Sequence, residues 1–179
     1  MFIYTIGHST RTLAEFQQLL KQHRVELLLD VRTVPRSRHV PHFNSETLAQ
    51  SLEIQGIEYR HRKELGGLRK PVKDSINPGW RNSSFRGFAD YMQTSEFSKA
   101  LAEAVKLATA KRAALMCAEA VPWRCHRSLI ADALLVFYRL EVRHIISETG
   151  LRIHELTPFA AVAADSLTYP ETGAPGRLI

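Results

Sequence analysis

Short, nearly continuous apolar runs alternate with amphipathic stretches along this chain, and that alternation is what most restricts its fold. Phe2–Ile6, Val25–Val31 and Ala113–Cys117 are each only a few residues long and mostly apolar, and Val142–Ile146 reads as a further strand. Runs of this kind suit strands buried on both faces, as in a parallel sheet covered by helices. Between them lie segments with helical spacing. Thr12 and Glu15 have the spacing of a capping box, followed by Leu13, Phe16, Leu19 and Leu20 on one face. Residues 45–54 read as a short helix with Leu48 and Leu52 inward and Gly56 near its C-cap. Phe85, Phe88 and Met92 mark one helix face, and Phe97, Leu101, Ala104, Val105 and Ala108 mark another. A further helix runs to about Leu140, with Leu129, Ile130, Ala133, Leu134 and Phe137 inward. Ile57–Arg60 supplies another strand. The expected fold is a three-layer α/β domain with a mostly parallel sheet of about five strands, spanning residues 1–157. Residues 158–179 fade into Ala, Pro and Gly and read as a loosely ordered extension.

At 179 residues the chain suits one domain with one core. No apolar run approaches the roughly 20 residues that cross a bilayer, and no secretory leader is recognisable. Two cysteines do not make a disulfide framework and fit a reducing compartment. The reading is therefore a cytoplasmic protein without a membrane partner. The oligomeric state is left open.

The net charge of +6 is concentrated. Residues 32–86 carry eleven lysines and arginines against five acids, and the rest of the chain is neutral. A local excess of this size favours an anionic partner such as DNA, RNA, a nucleotide or a phosphate ester; otherwise it is a solvated basic loop. Within it, residues 60–81 interleave Arg60, Arg62, Lys63, Arg69, Lys70, Lys73 and Arg81 with Trp80, next to Tyr59. Aromatic faces among basic residues suit single-stranded nucleic acid or flipped bases.

In open parallel sheets, ligands bind beyond the carboxyl ends of the strands. The polar motifs of this chain follow the expected strands. Gly7-His8-Ser9 follows the first, Asp30-Val31-Arg32 with Pro35 and Ser37 the second, Leu65-Gly66-Gly67 the third, and Cys117-Ala118-Glu119 the fourth. Cys125-His126-Arg127 then opens a helix. Together, over residues 1–146, these motifs resemble the signature of the domain-of-unknown-function 488 family. The resemblance implies a fold and a set of site residues but no reaction.

His8, Asp30 and Glu119 are the acid–base candidates. Cys117 is a candidate nucleophile, because a helix N-terminus and nearby arginines can lower a thiol pKa. Arg32, Arg124 and Arg127 are candidate oxyanion or phosphate ligands, with Ser9, Ser37, Arg69 and His126 beside them. A structural reading stands next to each assignment. His8 can tie a loop, Asp30 can pair with Arg32, and Cys117 can be a small core residue. Asp30-Val31-Arg32 is also similar to the strand-end motif of rhodanese-like domains, but Arg124 lies seven residues beyond Cys117, outside the loop lengths of those enzymes.

No cofactor is expected. Cys117, Cys125, His126, His8 and Glu119 are acceptable ligands for zinc or iron, yet Cys-x7-Cys-His matches no usual ligand spacing. The leading expectation is an enzyme acting on nucleic acid or a nucleotide, by hydrolysis or base processing. The alternatives are a non-catalytic nucleotide- or phosphate-binding module and a cysteine- or metal-dependent enzyme.

Overall fold

The architecture follows from which strands are wholly buried. In a computed structural model describing residues 1–164 and 166–171, five parallel strands form the body of one sheet. They are β1 (Phe2–Gly7), β2 (Leu27–Asp30), β3 (Glu58–His61), β4 (Ala113–Cys117) and β5 (Glu141–Ile145). A sixth strand, β6 (Leu151–Ile153), adds antiparallel to β5, giving the order β3-β2-β4-β1-β5-β6. Every residue of β2 and β4 is buried, as the continuous apolar runs require.

Helices cover both faces. α1 (Leu13–Gln22) and α2 (Ser45–Glu53) pack on one side, through Phe16, Leu19, Leu20, Leu48 and Leu52 against Ile6, Leu28 and Met116. α3 (Ser83–Tyr91), α4 (Ser95–Ala110) and α5 (Arg127–Tyr138) cover the other, through Phe88, Phe97, Leu101, Leu129 and Leu134 against Ile3, Leu29 and Leu115. Each such buried aliphatic or aromatic side chain contributes about 1.5–3 kcal/mol. Thr12 caps α1 with the reciprocal Thr12–Glu15 bonds that its spacing predicts. Gly56, at φ +72°, supplies the left-handed turn after α2.

Two features depart from the expected layout. The sheet has six strands rather than about five. β6 has only three residues, all exposed, so it carries no burial pattern to read. It forms because the turn at Ser147–Gly150 folds the chain back on β5, with Ile146 N–H donating to the Gly150 carbonyl. The extension after residue 158 is also partly anchored. β7 (Ala161–Ala163) and β8 (Ser166–Thr168) form a small hairpin, and Tyr169 is fully buried. Its hydroxyl donates to Asp132 at 2.8 Å, and its backbone N–H donates to Asn77 Oδ1 at 2.9 Å. The rest of the expected loose extension, residues 172–179, lies outside the described residues.

Tyr169→Phe should preserve the packing while deleting one buried hydrogen bond to Asp132. We expect a stability loss of about 1 kcal/mol, read as a lower urea midpoint at an unchanged m-value.

Candidate functional site

The carboxyl ends of β1, β2 and β4 meet around a two-lobed cleft. One lobe, about 340 Å³, reaches Cys117, Cys125 and His126 and has Val34, Leu68 and Phe85 among its walls. The other, about 560 Å³, is lined by His8, Ser9, Arg36, Ser37 and Val40. Arg32, Val34, Ala118, Glu119 and Arg124 wall both. The strand ends come this close because Gly7 has no side chain: a Cβ there would collide with the Glu119 carbonyl. The backbones continue to pair past the sheet, His8 N–H to Cys117 O and Ser9 N–H to Ala118 O.

Asp30 and Arg32 form the floor. Arg32 Nε donates to both Asp30 carboxylate oxygens at 2.9 and 3.1 Å, and Nη2 donates at 2.6 Å. The Arg32 backbone N–H and the Tyr59 hydroxyl complete the Asp30 shell. Arg32 also donates to the Phe43 carbonyl and to His8 Nε2. His8 is buried, stacked on Phe43 at 4.3 Å, and donates through Nδ1 to the Ser9 carbonyl. Its lone pair is therefore held by Arg32. Burial, with the Arg32 charge beside it, lowers its pKa to about 4. The acid–base roles expected of Asp30 and His8 do not fit this geometry, because neither has a free acceptor facing the cleft. They act as a clamp joining the ends of β1, β2 and β3.

A second cluster lies one strand away. Cys117 Sγ and Cys125 Sγ are 2.6 Å apart, both thiols are free, and both are buried. His126 Nε2 donates to the Val31 carbonyl at 3.1 Å, which leaves Nδ1 as the acceptor facing Cys125 Sγ at 3.4 Å. This is a thiol, a base and a group that orients the base. The imidazole occupies that place because residue 67 is glycine: a Cβ on Gly67 would enter the His126 ring.

Arg127 is 1% exposed, and among the described residues it meets no carboxylate. Nη2 donates to the Glu119 carbonyl at 2.6 Å and Nη1 to Thr5 Oγ1 at 3.3 Å. Burial alone would push the Cys125 thiol up. The hydrogen bond from Cys117, the adjacent His126 and the Arg127 charge outweigh burial and bring it well below the ordinary thiol range. Burial and the Cys125 bond push Cys117 up. Cys125 is thus the more acidic thiol of the pair.

The remaining expected residues divide. Arg124 and Glu119 are exposed on the wall common to both lobes. Ser9, in a left-handed conformation at φ 50°, lines the basic lobe. Ser37 lines it too, but its Oγ accepts from the His39 and Val40 amides and so shapes the loop. Arg69 does not reach the cleft. It donates to the Gly66 and Glu64 carbonyls and lies 3.6 Å over the Tyr91 ring. Arg127 lies behind the cleft rather than on its wall. Of the aromatics expected as stacking platforms, Trp80 packs among Phe85, Phe159 and Tyr169, and Tyr59 is tied to Asp30. The sequence marks Cys125 only as a possible metal ligand; its position just before an expected helix, followed by His, is the signal for its role beside His126. Among the described residues no group of three or more His, Cys, Asp or Glu is arranged to hold a metal ion.

His8 supplies a test. Its folded pKa is below the ordinary 6.5, so the unfolded chain binds the proton more readily. Stability should therefore be intact above pH 6.5 and fall as pH drops from 6.5 towards 4, by about 3 kcal/mol from His8 alone. His144, lowered to about 3 chiefly by burial, adds in the same direction down to lower pH. Urea unfolding at stepped pH should show this fall, and His8→Gln should show a shallower one. Equal slopes would remove His8 from the account.

No curated protein and no solved structure matches the chain. A family model matches residues 12–134, more than half of it, and its description is a domain of unknown function, DUF488. That span contains the Asp30–Arg32 clamp, both cysteines, His126 and Arg127, and by this match the chain belongs to the DUF488 family.

Proposed function

We propose that this protein is a dithiol enzyme acting on a small anionic substrate that carries an electrophilic sulfur. The observation that carries this reading is the Cys117–Cys125 pair, with sulfurs 2.6 Å apart, at the wall of a cleft and beside an oriented histidine. Cys125 is the nucleophile and passes its proton to His126 Nδ1. Its thiolate attacks the substrate sulfur and breaks the bond to the leaving thiolate, forming a mixed disulfide. Cys117 then attacks Cys125 Sγ. The Cys117–Cys125 disulfide forms, and the bound half of the substrate leaves as a thiol, taking the Cys117 proton. The substrate disulfide is the oxidant, and a thiol reductant resets the pair.

A second thiol in disulfide reach has no task in acyl transfer or hydrolysis but intercepts a mixed disulfide directly, which favours sulfur chemistry. Arg36 and Arg124 are exposed cations on the basic lobe and, among the described residues, form no ion pair. They suit an anionic end of the substrate. The apolar wall of Val34, Leu68 and Phe85 suits the portion beyond the sulfur. The anionic partner expected from the charge pattern is here a small molecule, sized to a cleft whose lobes hold about 340 and 560 Å³.

Dithiobis(nitrobenzoate), an anionic aromatic disulfide, is a suitable probe. Wild type should release two thiolates and end with an internal disulfide. Cys117→Ser should release one and retain the mixed disulfide, visible as added mass on Cys125. Cys125→Ser should react at least tenfold more slowly, since the remaining thiol is buried and protonated. Arg36→Ala/Arg124→Ala should slow this probe more than a neutral pyridyl disulfide. If Cys125→Ser reacts at the wild-type rate, or Cys117→Ser sheds its adduct, the dithiol reading fails.

A further inference from the structure

Behind the cleft, Arg127 is joined to a buried carboxylate by an unbroken line of side chains. Arg127 Nη1 meets Thr5 Oγ1 on β1 at 3.3 Å, and Thr5 Oγ1 meets His144 Nδ1 on β5 at 2.7 Å. His144 Nε2 meets His154 Nδ1, just after β6, at 3.1 Å, and His154 Nε2 meets Asp132 Oδ1 on α5 at 2.8 Å. Asp132 is fully buried and also accepts from the Thr157 amide and hydroxyl and from the Tyr169 hydroxyl. None of these residues takes part in the sulfur chemistry proposed above. Thr5, His144, His154, Thr157 and Tyr169 all lie outside the span matched by the family model.

The line has a direction. Asp132 is surrounded by donors, so His154 must present Nε2–H to it. With one proton on each ring, His154 Nδ1 accepts, His144 Nε2 donates, and His144 Nδ1 accepts. Thr5 is then left to donate its hydroxyl proton to His144 and offer its oxygen to Arg127. Every donor points away from Arg127 and towards Asp132. The buried cation thus has two sets of partners. On the cleft side are the Glu119 carbonyl, which Cys117 Sγ also approaches at 3.8 Å, and Cys125 Sγ, 3.5 Å from the Arg127 backbone nitrogen; on the other is an oxygen polarised by a chain that ends in a carboxylate. Aligned hydrogen bonds in a low-dielectric interior polarise one another.

We infer that the Thr5–His144–His154–Asp132 chain is a positioning device that competes with the Cys125 thiolate for Arg127 and so sets how acidic Cys125 is. This inference rests on the dithiol reading. The chain residues are positioning residues and touch no substrate. The strands and loops beyond the family match then have a function in the site: they bring an opposing counter-charge to the back of the cation.

Other groups also face the sulfurs and Arg127. Cys117 is on β4, His126 is beside Cys125, and Arg11 precedes α1. Glu119, Arg124 and Arg32 stand around the same cavity. Substitutions within the chain leave all of these in place.

The test is the pH dependence of Cys125 alkylation by iodoacetamide in the full-length protein, read by mass spectrometry of the Cys125 peptide. Thr5→Val keeps the shape and removes the hydroxyl, Thr5→Ser keeps the hydroxyl, and Asp132→Asn removes the charge. Cutting the chain leaves Arg127 to the sulfurs. Thr5→Val and Asp132→Asn should therefore lower the alkylation midpoint and raise the rate several-fold at a pH below the wild-type midpoint, while Thr5→Ser titrates like wild type. A merely structural chain would lower the unfolding midpoint without moving the titration. If Asp132→Asn does not fold, Thr5→Val alone decides. Wild-type titration at an ordinary thiol pH would sink the dithiol reading itself. A low wild-type midpoint that folded Thr5→Val leaves in place, or raises, would overturn the chain inference alone.

Discussion

A guanidinium buried to 1% exposure with no carboxylate against it among the described residues is the constraint around which this structure is organised. An isolated buried charge is among the costliest things a fold can hold. Arg127, at the start of α5, is accommodated by the Thr5 hydroxyl on β1, the Glu119 carbonyl in the loop after β4, and Cys125 Sγ just before α5, which accepts from its backbone N–H. Those elements must stay in register to satisfy it. Gly7 is glycine because the Glu119 carbonyl must come close enough to accept from Arg127. The same cation favours the ionised form of a neighbouring thiol, so the group that constrains the fold also prepares the chemistry.

A second arginine solves the opposite problem. Arg32 has a dedicated carboxylate in Asp30, and the pair is locked by Tyr59, the Phe43 carbonyl and His8. Its charge is neutralised on the spot, and it serves as a rigid floor joining three strand ends. Removing one partner of such a pair typically costs about 3–5 kcal/mol. The cleft therefore has a floor that is electrostatically closed and a back wall, at Arg127, that is not.

The three-layer architecture was legible because parallel strands buried on both faces must be apolar throughout, and β2 and β4 are. The capping box at Thr12 was legible because its chemistry is local. β6 was not, since three exposed residues held by a turn leave no burial pattern. The gathering of motifs at strand ends was also readable, and residues 7–9, 30–37, 65–67 and 117–127 do converge. The division of labour among them was not. Asp30 and His8 look catalytic in sequence because a carboxylate and an imidazole at strand ends are the common acid–base pair; only the positions of Arg32 and Phe43 reveal that their lone pairs are taken. Cys125 has the converse history. Its partner Cys117 is eight positions away, and the His126 lone pair is aimed at it by the Val31 carbonyl, just past the end of β2 and far from His126 in sequence.

On the dithiol reading, the separation of the two arginines is what leaves the cysteines, and not the clamped Asp30, to react. Wherever the chain provides a full set of partners, as at Asp30, Arg32 and His8, the group is pinned and serves stability. Where partners fall short, as at Arg127, charge is left over to be shared. The two claimants lie on opposite sides: a thiolate at the cleft and, through four hydrogen bonds, Asp132 at the far edge of the sheet. A thiolate that captured all of that charge would be easily formed but weakly nucleophilic, because nucleophilicity falls as thiol pKa falls. A carboxylate holding part of the charge back keeps Cys125 nearer the pKa at which attack on sulfur is fastest. On this view the segments after β5, exposed in β6 and anchored by Tyr169, belong to the site as much as the cleft does.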